Sequence, residues 1–306
     1  MTKIFIDGSA GTTGLRIYER IAERKDLEMI RLPENRRKDP SARRDALNEA
    51  DIAFLCLPDA ASIEAVSLLE SDTTAVIDTS TAHRTAEGWV YGFAEIGARK
   101  KKIASSKRIA NPGCHASGFI SLAAPLVEAG IVKPDALLSC FSLTGYSGGG
   151  KKMIAQYEEE PDELLAAPRM YGLPQMHKHL PEMAKISGLA NDPIFCPVVA
   201  PYYSGMQVTV PLFGGEIGCG IEAVRAVYRE YYKNGLVHYA DEADESGFLS
   251  ACAFSDRDDM QICVFGNDER MTLVSRFDNL GKGASGSAIQ NMNILLGLNE
   301  ATGLNV

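Results

Sequence analysis

The chain has 306 residues, enough for two ordinary domains, and its 45% hydrophobic and 23% charged composition excludes disordered, collagen-like and fibrous classes. Thirty-one basic against 40 acidic residues leave a net charge of −9, and the clusters Arg36-Arg37-Lys38 and Lys100-Lys101-Lys102 are local, so no nucleic acid is expected as a partner. No apolar run is long enough to cross a membrane, the amino end lacks the layout of a secretory signal, and seven scattered cysteines without a CxxC pair fit neither a disulfide framework nor a zinc site; a cytoplasmic chain with reduced thiols and no metal is expected.

Residues 3–7 (KIFID) read as a buried strand that runs directly into Gly8-Ser9-Ala10-Gly11-Thr12-Thr13-Gly14. Leu15, Ile17, Tyr18, Ile21 and Ala22 then recur at helical spacing, so the glycines occupy a strand-to-helix turn. Further strands are expected at 27–32, 53–57 and 75–78, with a helix over about 59–70. This alternation predicts a parallel, doubly wound sheet. A G-x-x-G-x-x-G loop in that place lets backbone approach a pyrophosphate seated on the helix N-terminus, so Gly8, Ala10, Gly11, Thr12, Thr13 and Gly14 are candidate dinucleotide ligands. After the second strand, Glu34 is followed by Arg36, Arg37 and Lys38, cations that suit the 2′-phosphate of NADP better than the bare ribose of NAD. A solvated basic loop is the bland alternative.

Asp78-Thr79-Ser80-Thr81-Ala82-His83-Arg84 follows the fourth strand, where ligands of such sheets bind, and a guanidinium there suits a phosphate or carboxylate. Asn111-Pro112-Gly113 is turn chemistry, and it sets Cys114 at the first turn of a helix, where unpaired amides and the positive helix end favour thiolate. The other six cysteines read as inert. His115 is expected to project away along the helix start, and His83 and His238 lie in less telling surroundings. His177 and His179 alternate in Met176–Glu182, where alternate residues face one way if the segment is extended, and one histidine could face the thiol and the other the core or a carboxylate. The Gly-rich run Thr144–Lys152 offers amide and cationic donors from Ser147, Gly148 and Lys151 to a phosphate, or is only a flexible tip. A second Gly-rich loop, 281–286, opens a helix carrying Gln290 and Asn291.

The glycine loop, the Asn-Pro-Gly-Cys turn, the His-x-His-x-Pro-Glu segment and the Lys-Gly-Ala-x-Gly-x-Ala-x-Gln-Asn ending, in this order from residue 3 to about 298, resemble the N-acetyl-gamma-glutamyl-phosphate reductase family, in its shorter subgroup. The resemblance implies an α/β fold with a Rossmann-type NADP-binding domain over 1–113 and 285–306. An α+β catalytic and dimerisation domain over 114–284 completes it, the last helix returning to the first domain. It implies Cys114 as nucleophile meeting the nicotinamide in a cleft, and His177 as its proton-transfer partner with His179 or Glu182 orienting it. Gly283 and Asn291 are implied on the NADP(H) side, and Arg84, Ser147, Gly148, Lys151, His179 and Glu182 on the acyl phosphate. The implied reaction is reductive dephosphorylation to N-acetylglutamate semialdehyde in arginine biosynthesis, by a homodimer or homotetramer. A related semialdehyde dehydrogenase acting on aspartyl or aminoadipyl phosphate is the alternative, since one methylene separates glutamyl from aminoadipyl substrates.

Overall fold

A computed structural model of the chain describes residues 1–159 and 162–306. It divides into two compact units, residues 1–112 with 284–304, and residues 113–283 with 305–306.

In the first unit β1 (Thr2–Asp7), α1 (Thr12–Ala22), β2 (Leu27–Ile30), α2 (Pro40–Glu49), β3 (Ile52–Leu55), α3 (Asp59–Ser67), β4 (Ala75–Asp78), β5 (Val90–Tyr91), α4 (Arg99–Ser105) and β6 (Arg108–Ala110) follow in order. The strands form one parallel sheet, ordered β2-β1-β3-β4-β6-β5. Its strands read as unbroken apolar runs because both faces are covered. Successive side chains divide between two cores: Ile4, Ile6, Phe54 and Ile77 on one face, and Phe5, Ala53, Leu55 and Val76 on the other. α2 begins at Pro40 behind Asp39, whose carboxylate accepts from the Ser41 amide at 3.0 Å, a side-chain N-cap with proline at the first helical position.

The second unit runs α5 (Cys114–Glu128), β7 (Ser139–Gly145), α6 (Gly150–Glu158), β8 (Arg169–Met170), α7 (Leu180–Ser187), β9 (Ile194–Ala200), β10 (Met206–Phe213), α8 (Gly214–Ile217), α9 (Ile221–Tyr231), β11 (Val237–Tyr239), β12 (Met260–Gly266) and β13 (Arg270–Phe277). Its strands form a mixed sheet, β11-β12-β13-β10-β7-β9-β8. Along β10 the residues alternate between buried and accessible, so the sheet keeps one covered and one open face, with Phe141, Ile194 and Phe213 exposed. α5 is buried from His115 to Leu126, as expected of a helix apolar on all sides. Gly118 permits its close approach to β10: a Cβ there would lie 2.3 Å from Val208 Cγ2. Pro125 inside α5 has no N–H for the Ser121 carbonyl four residues back, and the Tyr232 hydroxyl donates to that carbonyl at 2.6 Å instead.

The chain then re-enters the first unit. A turn of π-helix over Gly281–Ser285 leads into α10 (Gly286–Leu295), whose Ala288, Ile289 and Met292 complete the core around Ile4, Ile17 and Ile21. The return of the last helix is therefore a packing fact, since without it that sheet face would be left partly bare.

Candidate functional site

In the first unit the carboxyl ends of β1 and β2 border a cavity of about 750 Å³, lined by Gly8, Ser9 and Ala10 on one side and by Arg31, Arg37 and Lys38 on another. Gly8 takes φ +88°, and a Cβ on it would lie 2.3 Å from the Cys56 carbonyl oxygen. A Cβ on Gly14 would meet Gly8 O at 2.5 Å; one on Gly11 would touch nothing closer than 3.6 Å. Gly8 and Gly14 are thus glycines for the fold's sake, whereas a Cβ on Gly11 would make only ordinary contacts. Thr12 and Thr13 begin α1, and Thr12 Oγ1 is buried without a hydrogen-bond partner. A glycine cradle at a helix N-terminus, an orphaned hydroxyl and a cationic far wall fit a dinucleotide carrying an extra phosphate.

The three expected cations separate here. Arg36 pairs with Asp39 at 3.0 Å and does not line the cavity, while Arg37 and Lys38 do. Arg43, which sequence reasoning passed over, also lines it and forms a buried ion pair with Asp7 at 3.0 Å. Burial pushes the Asp7 carboxyl up, and Arg43 pulls it back.

At the end of β4, the buried Asp78 carboxylate accepts from Ser62 Oγ, Ser80 N and Ser80 Oγ, and lies 2.6 Å from His83 Nδ1. The His83 ring stacks on Trp89 with centroids 4.0 Å apart, so its surroundings are more specific than its neighbours in sequence indicate. Arg84 is buried and donates from Nε to the Asn111 carbonyl at 2.9 Å and from Nη2 to that of Thr79 at 3.1 Å. Asn291 spends its amide on Gly92 O and Asn111 Oδ1, bracing the same turn.

In the second unit Cys114 is the first residue of α5, after Gly113 as N-cap. The Gly113 amide donates to Glu182 Oε2 at 3.2 Å, so a buried carboxylate from α7 sits on the helix N-terminus. Gly283 packs on the cysteine: a Cβ there would lie 3.0 Å from Cys114 Cβ.

The histidine segment is not extended. It turns at 177–180 and enters α7, because Leu180 N bonds His177 O and the His179 amide donates to His177 Nδ1 at 3.2 Å. The turn still brings the two rings together, centroids 4.7 Å apart and nearly perpendicular. Since a backbone amide can only donate, the neutral His177 ring carries its proton on Nε2. Burial, and to a lesser degree the neighbouring Lys178, lower its pKa, so that neutral form holds at neutral pH. His179 Nε2 stands 3.8 Å from Glu182 Oε1. His115 does not project away: it is buried against Phe195 and the rings of His177 and His179.

The run after β7 is ordered, a 3₁₀ turn over Tyr146–Gly149 followed by α6. Ser147 is buried, Gly148 is exposed, and Lys151 is exposed on the first turn of α6. Asn279, missed as a site residue, holds this loop. Its Oδ1 accepts from the Gly205 amide at 3.0 Å, which obliges Nδ2 to donate to Ser147 Oγ, also at 3.0 Å. Ser147 is therefore an acceptor toward Asn279, and its own proton points elsewhere. The signal available in sequence was an Asp-Asn-Leu-Gly turn directly behind a strand. Among the described residues no cluster could hold a metal, and no helix is long and apolar enough to cross a membrane.

Residues 3–104 match the NAD binding domain of the semialdehyde dehydrogenases and residues 114–279 their dimerisation domain. The fold is similar to aspartate semialdehyde dehydrogenase II of Vibrio cholerae, solved as a complex with ASA, with a TM-score of 0.70 at 16% identity over 97% of this chain and 98% of that one. It is also similar to the enzyme of Candida albicans solved with NADP, with a TM-score of 0.66 at 14% identity over 96% and 98%. In sequence the chain is 47% identical over 306 positions to N-acetyl-gamma-glutamyl-phosphate reductase of Brucella ovis, covering 96% of this chain and 99% of that one. With a glycine cradle in one unit and, in the other, a cysteine on the first turn of a helix and a pair of apposed histidines, the chain belongs to the N-acetyl-gamma-glutamyl-phosphate reductase family.

Proposed function

We propose that the chain reduces N-acetyl-gamma-glutamyl phosphate to the corresponding semialdehyde with NADPH, through a thioester on Cys114. The observation that carries this reading is Cys114 at the N-terminus of α5 in the same unit as a His177 held in its Nε2–H form. The helix end favours the thiolate, which attacks the acyl carbon and expels phosphate. Ser147, its proton directed away from Asn279, donates to the departing phosphate, with the Gly148 backbone and Lys151 alongside. His177 Nε2–H donates to the carbonyl oxygen as negative charge builds on it. Arg37 and Lys38 would hold the 2′-phosphate of NADPH with the glycine loop against its pyrophosphate, and the cofactor, when bound, would supply the hydride. As the proton on the hemithioacetal oxygen returns to His177 Nε2, the carbon–sulfur bond breaks, releasing the aldehyde and restoring the Cys114 thiolate.

His179 and Glu182 hold the turn that aims His177, Gly283 leaves room beside the sulfur, and Arg84 and Asn291 position the Asn111 turn. Phe141, Ile194 and Phe213 on the open sheet face support assembly of two copies, or four, through that face. Its similarity to a named biosynthetic reductase supports reading the chain as a cytoplasmic biosynthetic enzyme.

The test is NADPH oxidation with the acyl phosphate and its one-methylene-longer analogue. Cys114→Ser should abolish turnover with NADPH affinity intact, and His177→Asn should slow it by about 10²–10⁴-fold. A Cys114→Ser protein turning over near the wild-type rate would end the covalent reading.

A further inference from the structure

Asp7 ends β1 directly before Gly8 and lines the same cavity as the glycine loop. Its carboxylate is buried there, at the head of a loop shaped to receive a pyrophosphate, which a bare negative charge would repel. Arg43 on α2, also buried and also lining the cavity, answers that charge. Arg43 Nε donates to Asp7 Oδ2 at 3.0 Å, and Nη2 stands 3.0 Å from the same oxygen, outside hydrogen-bond geometry. Asp7 Oδ1 has no partner among the described residues. Arg43 Nη1 is 3.6 Å from Glu64 Oε2 on α3, a half-exposed side chain.

A tie between α2 and β1 would be best made by a forked pair with two parallel bonds, and this one is lopsided. A buried ion pair also holds two elements no better than an apolar pair of the same shape, and Phe5, Ala46 and Leu47 already pack α2 on β1. We propose that Arg43 is a positioning residue for the cofactor that acts through Asp7. It cancels the carboxylate at the head of the phosphate loop and so keeps that end of the cavity attractive to the phosphates of a dinucleotide. The inference rests on the cofactor lying against the glycine loop. The groups that face Asp7 are Arg43, Glu64 and the Cys56 thiol, which burial pushes up to about 12 and which therefore stays neutral. Tyr18, Arg31, Glu34, Arg37 and Lys38 line the cavity around them, and the test leaves all five in place.

The experiment is calorimetric titration of the full chain with NADPH and with adenosine, across a pH series, for the wild type, Asp7→Asn, Arg43→Met and the double variant. Asp7→Asn removes the carboxylate and keeps Arg43, so NADPH should bind about three- to tenfold more tightly, whereas loss of a mere structural tie would weaken it. Arg43→Met leaves Asp7 alone, and at alkaline pH the Kd for NADPH should rise about 10- to 100-fold. That loss should ease relative to the wild type as pH falls, because burial favours protonation of a carboxyl that no cation now opposes. The double variant buries no lone charge and should return close to the wild type at every pH. Adenosine, which carries no phosphate, should bind all four proteins alike. Asp7→Asn binding NADPH no more tightly than the wild type overturns the inference, and does so whether or not Arg43→Met folds. A double variant as weak as Arg43→Met, or adenosine affinity lost in step with that for NADPH, overturns it too. A wild-type protein that binds neither ligand overturns the placement of the cofactor itself, and this inference with it.

Discussion

Gly11→Ala separates a glycine kept for a ligand from glycines kept for the fold. Gly11 caps α1 at φ −74°, ψ 166°, a conformation open to any residue, and the nearest atoms to an added Cβ are Gly8 O at 3.6 Å and Cys56 O at 3.9 Å. The fold should therefore lose no more than about 1 kcal/mol, the cap preference of glycine over alanine. At Gly14 the same methyl would lie 2.5 Å from Gly8 O and 3.0 Å from Ser9 Cα, both backbone, so Gly14→Ala should cost about 1–3 kcal/mol as the loop is forced apart. If a pyrophosphate lies against the loop, the Gly11 methyl displaces it from one amide–phosphate hydrogen bond, worth about 1.5–3 kcal/mol. The Kd for NADPH should then rise about 10- to 150-fold, and that for NADH by the same factor. Fluorescence titration of each cofactor, paired with thermal melts of both variants, reads the two effects separately. A Gly11→Ala protein that melts like the wild type and binds NADPH within twofold of it would refute the placement of the pyrophosphate.

Three further outcomes are expected. Arg37→Ala with Lys38→Ala should raise the KM for NADPH far more than for NADH, whereas Arg36→Ala should leave both nearly unchanged because that guanidinium is engaged by Asp39; equal losses with both cofactors would count against the assignment. His115 has a folded pKa of about 3, below its value of about 6.5 in the unfolded chain, so the unfolded state takes up the proton first and stability falls as pH drops from about 6.5 toward 3. Urea unfolding should show about 2 kcal/mol lost between pH 7 and 5 from this residue, and His115→Gln should flatten that slope. Arg84→Lys keeps the charge but cannot span the Asn111 and Thr79 carbonyls as a guanidinium does; kcat should fall and the melting temperature with it, and unchanged values of both would remove Arg84 from the positioning of that turn.

The first unit was legible because its strands are local, apolar on both faces and separated by periodic helices. Ile4, Phe5 and Ile6 announce a covered strand whatever partners it finds. β5 and β6, two and three residues long, are too short to carry a pattern. The second sheet depends on pairings distant in sequence, such as β7 beside β9 and β10 beside β13, and no window along the chain displays them. Cys114 was readable because Asn-Pro-Gly forces a helix start. The bend at His177 was not, since the bond that makes it, His179 N to His177 Nδ1, is a local side-chain choice between two permitted backbones. Asn279 escaped for a related reason: its importance lies in which atom must donate, and that is decided only when its partners are in place.

The stacking of His83 on Trp89 makes part of this molecule optically visible. The chain has one tryptophan, so its emission comes from one place, with an imidazole 4.0 Å from the indole and that imidazole tied to Asp78. Any molecule that settles at the end of β4 and disturbs the Asp78–His83 pair should change the same signal, which gives a binding readout independent of turnover.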